Sequence, residues 1–135
     1  YEAFRRDEHV VGVGGPFRFF DGPPWIHFVV DSINRVYPKL MTATLCGMNM
    51  AFRRSAYDAV GGFSPGVQLQ ADTYLGWELQ SVGRLHFIRD NVVTSSARRF
   101  GSVRHTVGEL VVRILNALAI KTAKRTIFNR LVDYR

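Results

Sequence analysis

The chain has 135 residues, 47% of them apolar and 13% aromatic, enough for one folded core or part of a larger one and unlike a disordered composition. Its 18 Lys and Arg against 11 Asp and Glu leave +7, and the excess is local: nine basic and two acidic residues lie from Arg98 onward, while residues 1–97 balance to zero. The lone Cys46 excludes an internal disulfide and suits a reducing compartment.

The opening YEAFRRDEHV is charged, lacks the apolar run of a signal peptide and reads over residues 1–6 as the end of a helix. With no initiator Met, the chain is expected to be a piece of something longer. Residues 9–20, HVVGVGGPFRFF, read as a strand interrupted at Gly14-Gly15-Pro16. The turn Asp21-Gly22-Pro23-Pro24 launches a helix over residues 25–37, which Pro38 should close.

Residues 41–54 read as a loop and then a short strand, with Ser55 as N-cap of a helix over 56–60. Gly61-Gly62 offers the left-handed residue that ends a helix. After the loop 63–71 comes a helix over 73–82, with Leu75, Leu79 and Val82 on one face and Gly83 as its stop. Short strands are expected over 84–88 and 91–95. The segment 103–131 reads as one or two helices, in which Ile120, Ala123, Ile127 and Leu131 recur at helical spacing among Lys121, Lys124, Arg125 and Arg130. No run reaches the ~20 apolar residues of a membrane-spanning helix. Strands alternating with helices make the fold class α/β.

Several residues can carry chemistry. Asp72, where a glycine-rich loop meets a helix, has two readings: an N-cap accepting from first-turn amides, or a general base taking a proton from a hydroxyl. One oxygen can do each. Gly12-Val13-Gly14-Gly15 fails as a dinucleotide loop, because its third glycine would fall on Phe17, so a bulged strand is the better reading. His9, His27, His86 and His105 show no ligand spacing, so no metal site is expected from this chain alone, and His86 is expected on a solvated strand face. Cys46 reads as a buried structural thiol. Arg98-Arg99, after Thr94-Ser95-Ser96, is either a solvated basic turn or a clamp for phosphate oxygens. The basic tail suits an anionic surface, membrane or nucleic acid.

Cys46-Gly47-Met48-Asn49-Met50-Ala51-Phe52-Arg53-Arg54, then Val60-Gly61-Gly62-Phe63, Asp72-Thr73-Tyr74-Leu75-Gly76-Trp77, Gly83 and Thr94-Ser95-Ser96-Ala97-Arg98-Arg99-Phe100 together resemble the C-terminal half of family 2 glycosyltransferases. The resemblance covers residues 1–100. It implies a partial GT-A fold with residues 1–100 as the acceptor-binding, catalytic-base half; beyond it, residues 101–135 read from their charge and spacing as a basic amphipathic helical tail. The family's G-x-N-x-A-x-R-R element would be Gly47, Asn49, Ala51, Arg53 and Arg54, lining the acceptor side. Its E-D-x-x-L element would be Asp72 and Leu75, with Asp72 as catalytic base and Ala71 standing where the family has an acid.

The resemblance further implies transfer of a sugar from a nucleotide sugar to an acceptor hydroxyl with inversion, in polysaccharide or glycolipid synthesis. Arg98 and Arg99 would help neutralise the departing diphosphate. A divalent cation, Mg or Mn, would serve the complete enzyme through a D-x-D motif that this chain lacks. On its own the chain is expected neither to bind a nucleotide sugar tightly nor to transfer one. The expected partners are the nucleotide sugar, a hydroxyl acceptor that can be lipid-linked, and an anionic membrane at the cytoplasmic face, with no nucleic acid. The rival reading is a non-enzymatic basic module that binds nucleic acid or membrane through its last helix.

Overall fold

A computed structural model describes residues 2–40 and 46–128. In chain order the elements are α1 (Glu2–Arg6), β1 (Val10–Gly14), β2 (Phe17–Phe19), α2 (Pro24–Leu40), β3 (Met50–Phe52), α3 (Arg54–Ala59), α4 (Ala71–Leu79), β4 (Arg84–Phe87), β5 (Val93–Ser95), a 3-10 turn at Arg98–Phe100, and α5 (Val103–Ala123). The expected α/β class is what forms: helices around a mixed sheet.

β1 is the middle strand of three, antiparallel to β3 and parallel to β4. Its register sets Gly12 opposite Phe52 on one side, and Gly14 opposite Phe87 on the other. All five of its residues are buried, which explains why Val-Val-Gly-Val-Gly carries no polar alternation. The ladder with β4 slips between Val10 and Gly12, so the bulge falls earlier than the expected break. The break itself is at Gly15-Pro16, where the chain leaves this sheet. β2 then pairs in parallel with β5 in a second, two-stranded sheet, Phe17 opposite Val93 and Phe19 opposite Ser95.

Two apolar clusters hold the layers. Leu75 and Leu79 of α4, both fully buried, pack with Val11 and Ala56, and Met50, Phe52, Tyr57, Val60 and Leu85 close around them. Phe52 and Tyr57 stack, with ring centroids 5.1 Å apart. The second cluster joins Phe19, Ile26, Val30 and Ala97, flanked by Phe17, Trp25 and Phe100. Asn34 ties α2 to β2, its amide donating to the Phe17 carbonyl at 2.7 Å. The turn after α3 uses the glycines as anticipated, with φ of 77° at Gly61 and 71° at Gly62. A Cβ on Gly62 would lie 2.7 Å from the Tyr57 ring.

Four expectations need correction. α2 continues through Pro38 to Leu40, because a proline removes a single rung of the ladder and tolerates a final half-turn. α3 begins at Arg54 rather than after a Ser55 cap. Arg53 is the N-cap residue and makes no side-chain cap, since a guanidinium has donors but no acceptor for the first-turn amides; its own N–H donates to the Val11 carbonyl at the end of the strand ladder. Val82 lies beyond the end of α4 and is exposed. The last helix stops at Ala123, with Lys124 left-handed at φ 51°, so Ile127 is not on it. Arg130 and Leu131, like most of the 41–54 loop before Cys46, lie outside the described residues.

Asn116 explains that stop. Wholly buried on α5, its side-chain carbonyl accepts from the N–H groups of Ile127 and Phe128 at 3.1 and 3.0 Å, and its amide donates to the Phe128 carbonyl. The chain therefore turns back along the helix, and Thr126 N–H reaches the Gly66 carbonyl in the loop ahead of α4. α5 thus keeps polar groups on its inner side. Val103, Val107, Leu110, Val111, Ile114 and Leu118 are exposed.

Candidate functional site

The loop before β3 is a tight turn, closed by Asn49 N–H donating to the Cys46 carbonyl at 2.8 Å. This turn aims the Gly47 N–H at the first turn of α4, where it donates to Asp72 Oδ2 at 2.6 Å. The other carboxylate oxygen, Oδ1, accepts from Thr73 N–H at 2.9 Å. A Cβ on Gly47 would stand 3.1 Å from Oδ2, so glycine suits this close approach. Asp72 is not the N-cap; that position is Gln70, left-handed at φ 64° and without a side-chain cap. Asp72 lies instead one position inside the helix, where exposed amides favour an anion. Each carboxylate oxygen retains an acceptor site after these two bonds.

Asn49, Arg53, Arg98 and Arg99 do not join this pair. Asn49 is buried, and its amide donates to the carbonyls of Pro16 at 2.9 Å and Asn91 at 2.6 Å while its oxygen accepts from Asn91 Nδ2 at 3.1 Å. It holds the break between the two sheets against the turn before β5. Gly15 belongs to the same knot, since a Cβ there would come within 2.3 Å of the Asn91 carbonyl. Arg53 fixes α1 to β1: its guanidinium donates to the carbonyls of Val10 at 2.8 Å, Asp7 at 3.2 Å and Phe4, and lies 5.1 Å from the Phe4 ring centroid. Ala51 and Arg54 are exposed, and Arg54 pairs loosely with Asp58 at 3.6 Å.

Arg98 and Arg99 stand exposed on the 3-10 turn. Ser96, the hydroxyl beside them, donates to Asp21 Oδ2 at 2.6 Å, and Ala97 N–H donates to Asp21 Oδ1. These bonds, the hydroxyl first and the amide second, hold the Asp21 carboxyl below its usual range. Asp21 read only as a turn former, because its partners are 75 and 76 residues away. The Ser96 hydroxyl is thus engaged by a carboxylate rather than free for a phosphate.

Cys46 is half-buried, and burial pushes its thiol up; the Asp72 charge pushes the same way, while Arg113 of α5 pulls it back. Arg113, half-buried on α5, sits in an apolar helical stretch and carries no local sequence signal of an effect on Cys46. His86 is exposed on β4, as its alternation with Leu85 and Phe87 suggested. Among the described residues no three His, Cys, Asp or Glu side chains come together to hold a metal ion, so the divalent cation implied by the resemblance has no fitting ligand set there. Compared with models of known families and with characterised proteins, the chain matches none.

Proposed function

We propose that the chain is the acceptor-side half of an inverting, nucleotide-sugar-dependent glycosyltransferase of the GT-A type, with Asp72 as general base. The observation that carries this reading is the 2.6 Å hydrogen bond from Gly47 to Asp72. Two elements of the family pattern, 25 residues apart, meet through it, and the carboxylate is held at a helix start with acceptor sites to spare.

In the reaction, an acceptor hydroxyl hydrogen-bonds to the Asp72 carboxylate. As its oxygen bonds to the anomeric carbon, the proton passes to Asp72, and the bond from that carbon to the nucleoside diphosphate breaks on the opposite face. Charge on the leaving group must be neutralised. Arg98 and Arg99 are the exposed cations the family pattern offers for this. Lys or Arg donors elsewhere in a complete enzyme would share the load. The product is a polysaccharide or glycolipid made at the cytoplasmic face of a membrane.

The test is sugar transfer by the full-length gene product carrying Asp72→Asn. Loss of a positioned base lowers turnover by about 10²–10⁴-fold. The same change leaves one of two N–H groups facing an amide rather than an acceptor, costing about 1–2 kcal/mol of stability, small enough for a folded variant. Wild-type turnover in folded Asp72→Asn would end the reading.

A further inference from the structure

α5 wears its amphipathicity inside out. Its inner side carries the buried Glu109 and Asn116 with Ile120. Its outer side presents Val103, Val107, Leu110, Ile114 and Leu118 at intervals of three or four residues, each more than half exposed. Such a continuous apolar stripe on a surface marks a contact with something apolar. The helix is 21 residues long, yet no described helix is long and apolar enough to cross a membrane.

Charge identifies the occupant. Exposed Arg104 stands at one end of the stripe, and exposed Lys121 and Arg125 at the other. The helix has one acidic residue, Glu109, and that is buried. A second copy packed along the stripe would bring cation against cation in either orientation, Arg104 meeting Arg104 or Arg104 meeting Lys121. A nucleic acid would satisfy the cations and leave the apolar stripe against a polyanion. An anionic bilayer satisfies both, with phosphates at the ends and acyl chains along the middle.

We infer that α5 is an in-plane lipid-binding helix: its stripe enters the headgroup–acyl boundary of an anionic bilayer, while Arg104, Lys121 and Arg125 contact lipid phosphates. This is independent of the sugar-transfer chemistry, and its assay contains no sugar donor, so either idea can fail alone.

The full chain is sedimented with vesicles of equimolar phosphatidylcholine and phosphatidylglycerol, and with vesicles of phosphatidylcholine alone. Binding to the anionic vesicles that weakens as salt rises is expected. The triple variant Arg104→Gln, Lys121→Gln, Arg125→Gln should bind about 100-fold more weakly. The double variant Ile114→Ser, Leu118→Ser should also lose affinity, by about 10-fold or more, with helical circular dichroism intact because both sites are exposed. Three results would overturn the assignment: no vesicle binding by the wild-type chain, a double variant that binds as well as wild type, or a concentration-dependent dimer that ignores vesicles.

Discussion

Replacing Asn49 with alanine removes three hydrogen bonds at once: two donated to the carbonyls of Pro16 and Asn91, and one accepted from the Asn91 amide. Each net bond contributes about 1 kcal/mol. Asn91 is exposed and its groups regain water, so the loss is discounted to about 2–3 kcal/mol. That is a large part of the 5–15 kcal/mol typical of a domain. In urea, with a slope of about 1–3 kcal/mol/M, the unfolding midpoint should fall by roughly 1–2 M with the slope unchanged. Asn49→Asp is the sharper variant, because one carboxylate oxygen keeps the Asn91 amide while the other, in place of Nδ2, faces two carbonyl oxygens with no donor. Its folded pKa is raised, so its deficit should grow as pH rises above about 4 and shrink on acidification. If both variants unfold within about 0.3 M of wild type, Asn49 is not the tie between the sheets, and a substrate-binding role regains ground.

Three further outcomes follow from the packing and titration of single residues. Asp21 has its folded pKa below the ordinary 3.8, so its stabilisation is present above that value and lost as pH falls through the folded pKa. The gap between wild type and Asp21→Asn in urea midpoints should therefore be constant near neutrality and close below pH 3.8, and a gap that widens in acid contradicts the Ser96 and Ala97 contacts. Cys46, its thiol raised above 9.0 chiefly by burial, should react with a maleimide at neutral pH about 10-fold more slowly than the same chain in urea; equal rates would refute that burial. Leu75→Ala, at a fully buried position, should cost about 2–5 kcal/mol by calorimetry or urea, and a cost below about 1 kcal/mol would mean the α4 cluster is not the core.

What was legible in the sequence was local. Gly15-Pro16 marked a break because glycine frees the backbone and proline lacks an N–H for the ladder. Leu75 and Leu79 announced the inner face of α4 by their spacing, and Gly61-Gly62 announced a left-handed turn. The misreadings came from contacts that no local pattern encodes. Val82 continued the leucine spacing, yet the helix had already ended. Arg53 and Asn49, read as site residues from motif order, gain a structural role beside that reading, because their side chains reach carbonyls 33 to 49 residues away. The Gly47–Asp72 pairing was foreseen only as two separate motif elements; the hydrogen bond between them spans a turn and a loop. In the tail, apolar spacing carried one or two helices from Ile120 and Ala123 on to Ile127 and Leu131, whereas α5 ends at Ala123 and the buried Asn116 amide turns the chain back before Ile127.

The Asn116 reversal gives two peptide groups outside any regular element the protection of a helix interior. The N–H groups of Ile127 and Phe128 can exchange with deuterated solvent only when that segment peels away from α5. Because Thr126 in the same segment grips the carbonyl of Gly66, peeling also frees the loop that leads into Asp72. Slow exchange at 127 and 128 would therefore report how long the Gly66 loop stays tied to the segment that follows α5.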